Sequence, residues 1–541
     1  MRGQSVGFKG LYFIKVLVHF SIFATIIFTF QNMSISIYIE PIANGEELIK
    51  KLLQDEFGIN EINAGILFTN LVKPHFDNFK DNTFILAETN YVDKVYRDSY
   101  YHYYSSKLPK YKRDAIRLSF FEEEISDADF FNGAQHSNLQ QKYRGFIVLR
   151  PTDPFIIGRS IISPLLLRTN NILACMSKFH TTVNGVKFTV KGFPHSSQDT
   201  ETISCAETSL WAIMEYFSNK YSDYQPVLPS KIIRTLNQVS SERQIPSKGL
   251  NIAQMSYSLK EFGFGTRIYS KQQYASEFGG LLSCYIESGI PIIVAIDNRH
   301  RGGSIGHALL AIGHSKIEND QINALVPYTT SNTILTGALA AKSIVLYDYD
   351  AIIKDFVFID DNHSPYQKAS LAQPARHYNA EWHNCEITYF IAPLYPKIYL
   401  EAYEAKNYIR NFIITGPEPL NDNSQVLLRF YLASSRSFKD AIAKNDSFQE
   451  DLKSIIIETS MPKFIWVAEV SSQDLIKEKK ANGIIIVDAT EANIYFNKPL
   501  ILAAYQDKLI LFDEISGNLE SNVLPLQDFR IFEHNLNDFE L

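Results

Sequence analysis

The stretch Ser204-Cys205-Ala206-Glu207-Thr208-Ser209-Leu210-Trp211 decides how this chain is read, because it places a cysteine in the first turn of a helix. Ser204 has the chemistry of an N-cap, and Glu207, three residues on, completes a Ser-x-x-Glu capping box. Leu210, Trp211, Ile213, Met214 and Phe217 then recur at helical spacing, so the helix buries an apolar stripe and turns its amino end outward. Lys220 and the Ser222-Asp223 pair mark its end. A free thiol with a pKa near ~8.5 is only slightly ionised at neutral pH, and the thiolate is the nucleophile. The unpaired N–H groups of a helix start favour an anion, so Cys205 is a candidate nucleophile.

Working outward, a base is needed. Gly289-Ile290-Pro291-Ile292-Ile293-Val294-Ala295-Ile296 reads as a buried strand entered through proline, and a polar loop from Asp297 to Ser304 follows it. The chain resumes as the strand His307-Ala308-Leu309-Leu310-Ala311-Ile312-Gly313 just after Gly306, which leaves His307 at a strand start where it can face a cleft. A further apolar strand, Phe356-Val357-Phe358-Ile359, ends in Asp360-Asp361-Asn362. A carboxylate there suits a catalytic imidazole, which needs a partner to hold its tautomer and stabilise its charged form. Alternation along a strand lets only one of the two aspartates point at His307. Gln198, seven residues before Cys205, has a side-chain N–H suited to a developing oxyanion.

Gln198, Cys205 at a helix start, Gly306-His307 on a strand and an aspartate after the next strand resemble, in that order, a papain-like cysteine peptidase, closest to the bacteriocin-leader-processing branch. The likeness spans roughly residues 185 to 395. It implies Cys205 as nucleophile, His307 as general base, Asp361 as the orienting residue and Gln198 as oxyanion donor. The Gln198-to-Cys205 interval is one residue longer than the family's, and the doublet leaves Asp360 as the alternative to Asp361, with Asn362 third. The expected fold class is α+β. A helix carrying Cys205 packs on an antiparallel sheet carrying His307 and the aspartate, and two further α/β or α+β regions flank this unit.

The expected divisions are an apolar segment at 1–32, a mixed α/β region at 33–180, the catalytic region at 181–394 and an α+β region at 395–541. The first flank carries a helix signal at Gly45 to Phe57 and a strand at Gly145 to Leu149. The last carries strands at Val426 to Leu432, Phe464 to Val470, Ile484 to Val487, Leu500 to Ala504 and Leu509 to Phe512, with helix signals at Phe438 to Ile442 and Asp451 to Ile457.

Composition excludes some partners. The 541 residues carry 52 Lys and Arg against 59 Asp and Glu, a formal net charge of −7, which argues against a broad nucleic-acid surface. The tyrosine-rich, basic segment from Tyr91 to Arg113 is diluted by Asp93, Asp98 and Asp114, and helix packing explains its aromatics. The four cysteines, Cys175, Cys205, Cys284 and Cys385, show no disulfide framework. His377, His383 and Cys385 lack a zinc spacing, and no phosphate loop or dinucleotide fingerprint occurs, so no metal or cofactor is expected. His195 and His314 read as structural.

Residues 11 to 30 form a borderline apolar span interrupted by Lys15 and His19. Two readings stay open: a membrane tether through residues 11–30, or a start at Met33 with a cytoplasmic protein. A peptide or protein substrate cleaved through a Cys205 acyl-enzyme is the leading expectation. Acyl transfer by the same residues, as in a transglutaminase, and a non-catalytic binding module of the same fold remain beside it.

Overall fold

The computed structural model describes residues 36–513 and 518–539; the apolar span at 11–30 and Met33 lie outside the described residues. Among these residues no helix is long and apolar enough to cross a membrane.

The chain is α+β, and three large sheets organise it. The first has seven antiparallel strands, beginning with Ile37–Pro41 and Thr83–Tyr91 and closing with Val186–His195 and Ser177–Val183. The second is centred on Gly306–Ser315, which pairs antiparallel with Ile292–Asp297 on one side and Asp355–Ile359 on the other. The third is built on Gln425–Ser434 and Phe464–Ser471. Every strand and helix expected in the last flank is present, within a few residues of its expected ends.

The second sheet is buried on both faces, which explains the unbroken apolar run Ile292–Ile296. Ile293, Ala308, Leu310 and Ile312 pack with the helix Cys205–Lys220 and the first sheet. Ile292, Val294, Leu309 and Ala311 face the helices Phe278–Glu287 and Ala402–Thr415 and the third sheet. Each fully buried aliphatic or aromatic side chain contributes about 1.5–3 kcal/mol, so this two-sided burial anchors the central strands firmly. In the cysteine helix every residue from Ala206 to Phe217 is buried, so this helix is enclosed all round rather than along one stripe.

Sheet membership crosses the expected divisions at 180 and 395. Ser177–Val183 pairs with Val186–His195 across the first boundary, and Val345–Asp348 pairs in parallel with Gln425–Ser434 across the second. Ile172–Ala174 adds to the second sheet beside Gly313, where a Cβ would meet the Leu173 carbonyl oxygen at 2.1 Å, so only glycine fits. The second and third sheets are also joined by buried ion pairs. Glu287 Oε1 lies 2.8 Å from His314 Nε2 and 3.2 Å from Lys354 Nζ, and Glu287 Oε2 lies 3.3 Å from Arg429 Nη2.

Candidate functional site

The loop leading into the cysteine helix is tied down from within and from the first sheet. Asp199 Oδ1 accepts the N–H groups of Glu201, Thr202 and Ile203 at 3.0, 2.7 and 2.9 Å. Buried Arg150 donates through Nη2 to the carbonyls of Ser197 and Gln198 at 2.8 and 2.9 Å. Ser204 donates its N–H to Glu207 Oε2 at 3.1 Å and its hydroxyl to the same oxygen, while Ser247 Oγ donates to Glu207 Oε1 at 2.8 Å. The expected capping box is therefore present, and it fixes the turn that carries Cys205. Cys205 is half-buried, whereas Cys175, Cys284 and Cys385 are buried.

His307 is buried at the start of its strand, where the Cys205 thiol acts on its charge. Its Nε2 donates to Asp360 Oδ1 at 3.0 Å, which leaves Nδ1 as the nitrogen free for the thiol. Burial alone would lower the pKa of this imidazole, but the Asp360 carboxylate and the Cys205 thiol hold it well above the usual histidine range. Burial would raise Asp360, yet His307 and then His377 hold it well below the usual carboxylate range. The imidazolium–carboxylate form is favoured.

The residue bonded to His307 is therefore Asp360, not Asp361. The strand ends at Ile359, so both aspartates lie beyond the pleat that would have turned them to opposite faces. Asp361 Oδ1 still lies 3.6 Å from His307 Nε2, but neither of its oxygens takes a hydrogen bond from another of the described residues. Burial pushes Asp361 up to about 7, opposed by His307 and assisted by Asp360 and Glu207.

Asp360 collects further donors. Tyr378 Oη donates to Oδ1 at 2.9 Å, the Asn362 N–H donates to Oδ1 at 3.0 Å, and His377 Nε2 donates to Oδ2 at 2.9 Å. Asn362 Nδ2 donates to Tyr378 Oη at 3.1 Å, and Gln198 Nε2 donates to Asn362 Oδ1 at 2.9 Å. Gln198 thus joins the cluster through Asn362 and Tyr378. Trp382 stacks on Tyr378 at 4.0 Å and meets the His307 ring edge-on at 5.5 Å. An aromatic wall beside the His307–Asp360 bond lowers the local dielectric and strengthens it.

Arg150, Asp199, Tyr378 and Trp382 carry no motif, so their part in this site was not legible in the sequence. His377 entered the sequence reading only as one of three metal-ligand types; here it bonds Asp360, while His383 Nε2 bonds the Tyr378 carbonyl at 2.9 Å and Cys385 is buried. Ligand atoms of Asp360, His363 and His377, and of His307, Asp360 and Asp361, do lie within 4.8 Å of one another. Hydrogen bonds to Asp360 account for the nearness of His307 and His377 within these groups. His195 Nε2 bonds the carbonyls of Asp360 and His363 at 3.1 and 2.9 Å, fixing the turn from behind. His314 is placed with Glu287, apart from the His307 cluster. In the segment around Tyr91–Arg113, Tyr96 and Tyr104 are buried and several basic residues are ion-paired: Arg97 with Asp114, Lys94 with Glu215, Lys107 with Glu201 and Lys112 with Glu56.

No family model and no curated protein matches this chain.

Proposed function

We propose that the chain is a thiol-dependent hydrolase of the cysteine-peptidase kind, acting on a peptide or isopeptide-type amide. The observation that carries this reading is His307, hydrogen-bonded to the Asp360 carboxylate and held well above the usual histidine range by that carboxylate and by the Cys205 thiol. The helix start and the resemblance to papain-like peptidases support it further. Cys205 Sγ adds to the amide carbonyl as its proton passes to His307, and the oxyanion is met by N–H groups at the helix start together with the Gln198 carboxamide. Collapse breaks the C–N bond as His307 protonates the leaving amine. His307 then takes a proton from water, whose oxygen attacks the thioester, releasing the acid and restoring the thiol. Asp360 is the orienting residue, in place of the Asp361 that the resemblance implied.

The test is alkylation by iodoacetamide and by a peptidyl epoxide. Cys205 labels well ahead of Cys175, Cys284 and Cys385, and His307→Ala removes that preference. Equal labelling of all four thiols overturns the reading. Mass spectrometry of peptide products with and without an added amine separates hydrolysis from transfer.

A further inference from the structure

The helix that begins at Cys205 ends at Lys220 in the wall of a cavity of about 410 Å³, within the size range of small-molecule pockets. At about 1.5 Å per residue, its wall lies roughly 22 Å from the thiol. Phe217, Tyr224, Ile290, Tyr395 and Phe464 supply apolar walls. Phe217 and Tyr224 meet edge to face at 5.3 Å, and Tyr395 packs on Phe464 at 4.9 Å. The wall formed by the C-terminal segment is fixed: Asn535 Nδ2 donates to the carbonyls of Glu287 and Leu432, each at 3.1 Å. Close packing also holds it at Gly289, whose φ of +72° and 2.6 Å approach of the Asn535 carbonyl to a would-be Cβ leave no room for a side chain.

The charges in this lining do not balance. Lys463 Nζ lies 3.1 Å from Asp223 Oδ2, so those two neutralise each other. Lys220 has no carboxylate partner among the described residues. Its Nζ donates to the Tyr216 hydroxyl at 2.7 Å and sits 5.1 and 5.6 Å from the Tyr216 and Tyr221 ring centres. Burial holds its ammonium below the usual lysine range, with the Cys175 thiol the one group acting in the opposite sense. A half-buried cation with no carboxylate partner among the described residues, set in an aromatic pocket, gains free energy from a bound anion.

We propose that this cavity binds a small amphipathic organic acid, its aromatic or aliphatic body between the apolar walls and its anionic group paired with Lys220. The site is separate from the Cys205 chemistry and stands whether or not that chemistry is correct.

Fluorescence titration of the full chain with anilinonaphthalenesulfonate, and with phenylnaphthylamine as the same ring system without the sulfonate, tests it. The sulfonate probe binds one site per chain. Lys220→Met weakens it about tenfold or more and leaves the neutral probe unchanged, and Ile290→Trp, which fills the cavity, weakens both. Cys205→Ala changes neither. Sulfonate affinity unchanged in Lys220→Met overturns the anion pairing. Should that variant not fold, affinity unchanged in Ile290→Trp overturns the site itself.

Discussion

His307 Nε2 lies 3.0 Å from Asp360 Oδ1 and 3.6 Å from Asp361 Oδ1, so one imidazole faces two adjacent carboxylates in a turn. Of the two, only Asp360 is hydrogen-bonded to it. Asp360→Asn should therefore slow Cys205 alkylation by about 10²-fold, in line with loss of a partner in acid–base chemistry, while Asp361→Asn should change it by less than about threefold. Second-order rate constants with iodoacetamide at pH 6.5 check this. The reverse ranking would restore Asp361 as the orienting residue.

Asp361 also sets a stability slope. Its carboxyl is raised to about 7 in the folded chain, so the native state holds a proton that the unfolded chain has already lost above pH 4. The penalty grows from about pH 4 to pH 7 and is constant above. Asp361→Asn should remove it, giving a gain on the order of a few kcal/mol at pH 8 that shrinks towards zero at pH 4. Thermal melts across this range measure the trend; a gain independent of pH contradicts it.

The His307–Asp360 pair has the opposite pattern on its two sides. His307 is raised, so its contribution is complete below pH 6.5 and is lost as pH climbs through the folded value; Asp360 is lowered, so its contribution is present above about pH 4 and is lost on acidification. NMR titration of the His307 ring should show the imidazolium persisting well past pH 6.5. In Asp360→Asn the ring should deprotonate at lower pH.

Ser204→Ala removes the side chain that bonds Glu207 at the head of the cysteine helix. A loss of about 1 kcal/mol in denaturant unfolding is expected, the usual cost of an N-cap. Any slowing of Cys205 alkylation should accompany it, because the same turn positions the thiol.

Glu287→Gln leaves Lys354, His314 and Arg429 without their shared carboxylate between two sheets. Breaking such a buried cluster costs about 3–5 kcal/mol, which urea unfolding should register. A change under about 1 kcal/mol would mean that water reaches the cluster.

Local chemistry was legible in the linear chain. The helix Gly45–Phe57 has the ends its apolar period indicated, and the Ser204–Glu207 box, the His307 strand and the last flank's strands could be read because each rests on neighbours a few residues apart. The choice between Asp360 and Asp361 could not be read, since it turns on the strand stopping at Ile359, one residue before the doublet. Nor could the sheet boundaries, because Val345–Asp348 crosses into the third sheet by a parallel pairing with residues about 80 positions away.

Sequence by itself determined a cysteine at a capped helix start, a histidine at the start of a buried strand and an acidic turn after the next strand, because capping and period are local. Tertiary structure alone decided which carboxylate holds His307, that Tyr378 and Asn362 link Asp360 to Gln198, and that Trp382 covers the imidazole. Those contacts join residues 16 to 164 positions apart, and hydrogen bonds and ring packing at such separations depend on how the sheets and loops close around the site, which no local pattern encodes.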